Sequence, residues 1–548
     1  MRMIGSSGIW ELFVPGIGEG EKYKFEIHTH TGDIRIKSDP FAFYSEKRPA
    51  TASIVFDLNR YHFQDHAWRK KSQNAPMTIY EVHLGSWKKY AGEFPNYREM
   101  AHDLSKYCKE MGFTHVELLP VMEHPLDESW GYQVTGFFST TSRYGSPADF
   151  QFFVDHMHQE GIGVLLDWVP AHFPTDDHSL NRFDGTALYE HEDPRKGMHP
   201  HWHTAIFNYG RKEVTNFLIA SALFWFDKMH VDGLRVDAVA SMLYLDYGRN
   251  KGEWIPNPDG GNVNIDAIEF LKHLNSIVHQ KFPGTLMIAE ESSSFIGVTH
   301  SQGLGFDLKW NMGWMNDTLR YFSIDPLFRK FHQDELTFSL IYAFTEKFMC
   351  VLSHDEVVHG KRSLLQKMPG PDWQKFANVR LLYSYMICHP GKNLLFMGNE
   401  IGEWDEWYCK RELNWNLLRY PQHQGLSRFV REMNHFYLGH AALWELDDEW
   451  QGYQWIDFSD REHSVISYLR KGMGRVLVCA HNFTPELIPN YFIRLMGLSR
   501  VEEIFNSDAE EFGGSNQRNV KVEVFPDGFQ IHLSPLATMI FEVVFHNA

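Results

Sequence analysis

Over the first part of the chain, apolar and polar positions alternate with a period of two at Trp10–Val14, Lys22–His28 and Ile34–Lys37, with G-E-G-E and T-G-D turns between them. This period lays one face of each segment on a core and predicts antiparallel strands. Three strands cannot close a β-sandwich, which takes about seven. Either they form a small appendage or the chain enters a β-domain partway. The second is expected, a partial β-sandwich over residues 1–75.

From Pro76 the pattern changes. Short apolar runs appear at Ile79–Leu84, Phe113–Leu119, Gly163–Trp168, Gly233–Asp237, Leu286–Glu290, Phe306–Trp310, Met349–Asp355 and Asn393–Gly398. Amphipathic segments of helical period lie between many of them, at Tyr97–Met111, Ala148–Gly161, Lys212–Met229, Ile265–Lys281 and Trp373–Cys388. Strands alternating with helices predict an α/β fold, a (β/α)8 TIM barrel over residues 76–436, with its chemistry at the C-terminal strand ends. The stretch between Trp168 and Gly233 is too long for an ordinary strand-to-helix loop and is expected to build a binding site. Beyond Phe436 the helical period fades. Runs at Val465–Leu469, Val476–His481, Val520–Phe525, Gln530–Leu533 and Met539–Phe545 predict a C-terminal β-sandwich over residues 437–548.

The length of 548 residues fits this division, since single cores stop growing well below that size. A net charge of −18 argues against nucleic-acid or anionic-membrane partners, which call for basic patches. The five cysteines are widely spaced, with no C-x-x-C. A disulfide framework is therefore not expected, and a reducing cytoplasm is. The start, M-R-M-I-G-S-S-G-I-W-E, lacks the apolar core of a signal peptide. No run approaches the ~18 apolar residues that span a bilayer.

Four segments place acids at barrel-strand ends: D-W-V-P-A-H (Asp167–His172), G-L-R-V-D-A (Gly233–Ala238), I-A-E-E (Ile288–Glu291) and S-H-D (Ser353–Asp355). Alternation sends Arg235 and Asp237 to one side of their strand, where an arginine keeps a carboxylate ionised, as a nucleophile requires. A structural Arg–Asp pair is the plain alternative. Glu290 closes the next strand and suits a general acid, with Glu291 pointing away from the interior. Carboxyl groups on adjacent strands can reach the ~5–5.5 Å separation of a retaining glycosidase. His354 and Asp355 could grip sugar hydroxyls in the transition state, or merely cap a strand. Asp167 is expected to support the site and His172 to reach the substrate. Aromatics make up 15% of the chain; several large cores would account for them, but at least a few of those clustered in loop-like segments (Trp130, Tyr132, Tyr144, Trp202, Trp404, Trp407 and Tyr408) are expected to supply exposed stacking surfaces for sugar.

In this order and on these strands the segments resemble the four sequence regions of the α-amylase superfamily. W-G-Y-Q (Trp130–Gln133), S-R-Y-G (Ser142–Gly145), D-W-V-P-A-H-F-P (Asp167–Pro174), G-L-R-V-D-A-V-A-S-M-L-Y (Gly233–Tyr244), A-E-E-S (Ala289–Ser292), L-S-H-D-E-V-V-H-G-K (Leu352–Lys361) and M-G-N-E (Met397–Glu400) resemble the 1,4-α-glucan branching enzymes over nearly the whole chain. That resemblance implies Asp237 as nucleophile, Glu290 as acid/base and Asp355 as transition-state stabiliser. It implies Tyr132, Asp167, His172, Arg235 and His354 around the cleaved glucose unit, and α-1,4-glucan (glycogen, amylose or amylopectin) as the partner. The chain departs from the family in entering the first β-domain late, near G-I-W-E-L-F. It also carries Ala171 where many amylases have a calcium-binding Asn, so no calcium is expected there.

No cofactor and no metal are expected, and the chain is expected to act as a monomer. The H-P-H-W-H segment (His199–His203), with His191 nearby, lacks an acidic or Cys partner at ligand spacing. It is expected to be a mobile loop over the groove. A hydrolase of the same fold and a catalytically silent glucan-binding scaffold are the rival readings.

Overall fold

The structure is a computed structural model that describes residues 1–546 apart from 69, 71–73, 91 and 473. Its centre is a closed barrel of parallel strands: β1 (Thr78–Val82), β2 (His115–Leu118), β3 (Gly163–Trp168), β4 (Gly233–Val236), β5 (Leu286–Ala289), β6 (Leu308–Trp310), β7 (Phe348–Leu352) and β8 (Lys392–Phe396). Every residue in these strands is buried. Parallel strands covered on both faces read as continuous apolar runs, which is why they stand out in the sequence.

The helices between them follow the expected segments closely. The helix Tyr97–Met111 shows why: Asn96 and Glu99 form a capping box, and Gly112 ends the helix at φ 75°. Its buried positions include Tyr97, Met100, Ala101, Leu104, Cys108 and Met111, a stripe of helical spacing laid on the barrel.

Charged side chains nevertheless enter the barrel. In register, Glu81 of β1 lies beside Glu117 of β2, and Asp167 of β3 beside Arg235 of β4. Arg235 satisfies Asp167, and Glu81 finds His354. Glu117 is left over: it is 1% exposed and neither carboxyl oxygen has a hydrogen-bond partner among the described residues. Burial holds its acid well above the usual range, with Glu81 and Asp167 adding to the shift and Arg235 and His354 opposing it. Glu117 is thus protonated when folded and ionised when unfolded above its ordinary value near 4.5. Stability is lost as pH rises from there, by up to about 1.4 kcal/mol per pH unit. Glu117→Gln is therefore expected to raise the melting temperature at pH 8, with the gain shrinking towards zero at pH 4.5. Thermal melts at the two pH values check this, and a lower Tm at pH 8 would contradict it.

The C-terminal part is a sandwich. A five-stranded sheet (Tyr453–Asp457, Val465–Gly472, Arg475–Asn482, Ala537–Phe545, Leu498–Asn506) faces a three-stranded one (Ile488–Arg494, Gly528–Leu533, Glu523–Phe525). Three of these strands escaped the periodicity reading. Leu498–Asn506 shifts register twice against its partner, and Ile488–Arg494 shifts once and contains Pro489 and Asn490, the latter at φ 54°. A bulge breaks the period of two on which such a reading depends. Buried Arg470 anchors the sandwich by donating to the carbonyls of Cys388 and Leu443 and to Asp447.

Of the N-terminal strands, Arg2–Met3 with Trp10–Glu11 and Phe25–His28 with Ile34–Lys37 form separate two-stranded sheets, while three others join the catalytic domain. Tyr44–Ser45, Ser53–Ile54 and Lys22–Tyr23 share a sheet with Met122–Glu123 and Gly136–Thr140, which belong to the long β2–β3 connection. Among the described residues, no helix is long and apolar enough to cross a membrane.

Candidate active site

Strand β4 ends at Val236, and alternation places Arg235 and Asp237 on the inner side, as expected. The Arg235 guanidinium is 1% exposed and is the hub of the site. Its Nη1 donates to both Asp167 oxygens at 2.8 Å and to Asp237 Oδ1 at 2.7 Å, while Nη2 lies 3.9 Å from Glu290 Oε2. Its planar face stacks 4.3 Å from the Trp310 ring, which fixes its tilt. Asp237 and Glu290, at the ends of adjacent strands, are therefore both brought against this one guanidinium.

Glu290 follows β5 directly. Its amide N–H donates to the Val236 carbonyl at 3.0 Å, and its carbonyl accepts from Val239 N–H at 2.9 Å. Its Oε2 accepts from Ala238 N–H at 2.7 Å. Ala238 makes this contact from the left-handed region, φ 53°, which a non-glycine residue enters at a cost of about 1 kcal/mol or more. Burial pushes the Glu290 acid up to about 8; Arg235 works against the shift, while Asp237 and Asp355 reinforce it. Glu290 is thus a protonated carboxylic acid at neutral pH, beside an aspartate that an arginine grips.

A second chain of contacts runs to β7. Tyr132 donates to Asp167 Oδ2 at 2.5 Å, and its oxygen lies 3.2 Å from His354 Nε2. Glu81 clamps His354 by accepting from its backbone N–H at 2.9 Å and facing its Nδ1 at 2.5 Å. Burial disfavours the charged ring, but Asp355 and Glu81 outweigh it and raise His354 to about 9. The imidazolium can then donate from both ring nitrogens, with Asp355 Oδ1 3.5 Å from Nε2. Burial raises the Asp355 carboxyl, yet His354 and Arg235 overcome this and hold it below its usual value. The Asp355 side chain is 43% exposed and stands at the mouth, reachable by a ligand.

Of the expected site residues, Tyr132, Asp167, Arg235, Asp237, Glu290, His354 and Asp355 come together in this network. His172 is buried, which lowers its ring against the opposing Asp237 charge, and among the described residues it makes no hydrogen bond to the others. Glu291 turns away, as alternation requires, to pair with Lys309 at 2.6 Å. Trp130 and Trp407 line the mouth with their rings 4.9 Å apart. Tyr144 does not belong to the expected stacking surfaces: it is 5% exposed and packs edge-on against Phe94 and Tyr97. Glu81 and Trp310 were not singled out from the sequence. Glu81 left a signal, a charge inside an otherwise apolar strand, whereas Trp310 looks like any core aromatic. Among the described residues no cluster of three or more His, Cys, Asp or Glu side chains is arranged to hold a metal ion.

The chain matches three domain families: carbohydrate-binding module 48 (isoamylase N-terminal domain) at residues 1–42, the alpha amylase catalytic domain at 102–195, and the alpha amylase C-terminal all-beta domain at 455–544. In solved structures, the putative alpha amylase of Salmonella typhimurium superposes with a TM-score of 0.72 at 19% identity, over 97% of this chain and 92% of that one. A GBS pullulanase superposes with a TM-score of 0.70 at 13% identity, over 95% of this chain and 79% of that one. These identities establish the fold alone. The 1,4-alpha-glucan branching enzyme GlgB of Protochlamydia amoebophila is 63% identical over 99% of this chain and 77% of its own length. That of Chlamydia caviae is 53% identical over 100% of this chain and 78% of its own. With a (β/α)8 barrel, its acids gathered on one arginine and this identity along the whole chain, the protein belongs to the 1,4-alpha-glucan branching enzymes.

Proposed function

We propose that this chain cleaves an α-1,4-glucan by double displacement and transfers the freed oligoglucan to a glucose 6-hydroxyl, forming an α-1,6 branch. The observation that carries this reading is the pair of carboxyl groups at Arg235, Asp237 held at 2.7 Å and Glu290 at 3.9 Å with its acid raised by burial. Asp237 attacks the anomeric carbon as Glu290 gives its proton to the departing glycosidic oxygen, and an ester forms at Asp237. Glu290, now a base, takes the proton of the incoming 6-hydroxyl. The new C–O bond forms, the ester bond breaks, and its electron pair returns to Asp237. Two inversions retain the α configuration.

Asp355 accepts from ring hydroxyls, which become stronger donors as positive charge develops at the anomeric carbon, and His354 orients the sugar by donating to a ring hydroxyl. Asp167 and Tyr132 keep Arg235 and His354 in position. His172 closes the sugar pocket. The five cysteines, all free among the described residues, are compatible with action in a reducing cytoplasm. We assign residues 1–75, 76–436 and 437–548 to glucan binding, catalysis and support, and a monomer suffices for the reaction as written.

Amylose incubation with iodine staining and reducing-end counts tests the reaction. Iodine colour should fade with few new reducing ends, and short chains should appear only after a debranching enzyme is added. Immediate release of reducing sugar would mark a hydrolase instead.

A further inference from the structure

Transfer differs from hydrolysis only in what meets the covalent intermediate, so a second glucan must be held against it. One face of the cavity is already committed to the first sugar: Tyr132, His354, Trp130 and Trp407 form a continuous wall of ring contacts. A second cluster, which meets the sugar pocket at His172, stands on the β3–β4 side. His172 lies 5.0 Å from Trp202, and Trp202 lies 4.3 Å from His199 and 6.0 Å from Tyr247. The Trp202 and Tyr247 residues are each 37% exposed, whereas His172 and His199 beneath them are 6% and 5% exposed. Among the described residues, His172 Nδ1 and His199 Nε2 are buried without hydrogen-bond partners. Burial raises the Tyr247 hydroxyl, and the Glu290 and Asp237 charges add to the effect.

The backbone presents Trp202 firmly. His199 N–H donates to the Thr204 carbonyl at 2.9 Å, and His203 N–H to the His199 carbonyl at 3.1 Å, closing a tight loop. His203 is held in the left-handed region at φ 55°. Arg249 donates to the Met198 carbonyl at 2.5 Å. His201 packs so closely on Gly248 that a Cβ there would come within 2.9 Å of its ring. The H-P-H-W-H loop is thus tied to the segment that carries Tyr247. Such ties fix two half-exposed rings at 50° to one another, with polar groups below them, and each apolar ring face matches the face of a pyranose ring.

We propose that Trp202 and Tyr247 form the acceptor platform: they stack on the glucan segment beyond the scissile bond and, once it leaves, on the chain whose 6-hydroxyl attacks the intermediate. This inference rests on the double-displacement reading above and assigns the side of the site that the first wall leaves open. It also gives the histidine-rich loop a role without a metal ion.

The test separates the two half-reactions. With α-maltohexaosyl fluoride as donor, fluoride departs without a sugar on the acceptor side. Trp202→Ala and Tyr247→Ala should leave single-turnover fluoride release within about twofold of the parent, yet each should lower branching of amylose about tenfold, the scale of one lost stacking contact. The acceptor KM should rise, the share of intermediate lost to water should grow, and Trp202→Phe should regain most of the branching. Tyr247→Ala leaves the Trp202 loop intact and decides the matter if Trp202→Ala does not fold. Unchanged branching, or fluoride release falling in parallel with branching, would overturn the proposal. Fluoride release at the parental rate in Asp237→Ala would instead overturn the reading on which it rests.

Discussion

Asp237→Ala is expected to lower branching activity by about 10⁴- to 10⁶-fold, because without an ester the two-step path is closed. The fold should survive. Arg235 keeps both Asp167 oxygens at 2.8 Å when its bond to Asp237 is lost, and the Asp237 side chain is only 13% exposed at a cavity wall. Glucan affinity should therefore persist while turnover vanishes, which separates a catalytic acid from a binding one. Added azide is small enough to enter the space left by the carboxylate and attack the anomeric carbon directly. A single displacement inverts, so the product should be a β-glycosyl azide. Residual activity above about one per cent without azide would place the ester on another residue.

Glu290→Gln is expected to cost about 10²- to 10⁴-fold with amylose, whose departing alcohol needs a proton. A glycosyl fluoride needs none, so the first step with that donor should be spared while transfer stays slow. The pH dependence gives an independent readout. With Glu290 near 8, its acid form is lost as pH rises through that value, so kcat/KM of the parent should fall on the alkaline side with an apparent pKa near 8. The Gln variant should lose that limb. An alkaline limb that stays in place after the substitution would assign it to another group, with His354 near 9 the first candidate. The same shift has a price in stability. A carboxyl raised in the folded state favours folding fully only below its ordinary value near 4.5, and the benefit is lost as pH rises towards 8. The neutral amide should therefore make an inactive protein at least as stable as the parent at pH 8.

The parts of this site that could be read from residues alone are those that obey a period. Arg235 and Asp237 are two apart, so whichever way β4 faced they had to face together. Glu290 and Glu291 are one apart, so only one could enter the cavity, and Lys309 shows where the other went. Long-range partners left weaker traces. Glu81 meets His354 across 273 positions of chain, and nothing local distinguishes Trp310 from the core tryptophans around it. The C-terminal sheets show the same limit in the fold itself, since all three strands that were missed carry register shifts, one of them with a left-handed asparagine. Tyr144 marks the opposite error. A ring in a loop-like segment between turn residues looks open to solvent, yet the close approach of Phe94 and Tyr97 makes it core.

The sheet shared by Tyr44–Ser45, Ser53–Ile54 and Gly136–Thr140 couples the accessory strands to the mouth of the barrel. Gly136–Thr140 begins three residues after the W-G-Y-Q segment that supplies Trp130 and Tyr132. From the same side, Lys37 reaches the Ser179 and Asn181 carbonyls of the loop beyond β3. Cutting the polypeptide ahead of β1 would therefore not liberate a self-sufficient catalyst. It would strip pairing partners from one rim of the barrel mouth and unpin the other, so the leading strands act as a splint for catalysis.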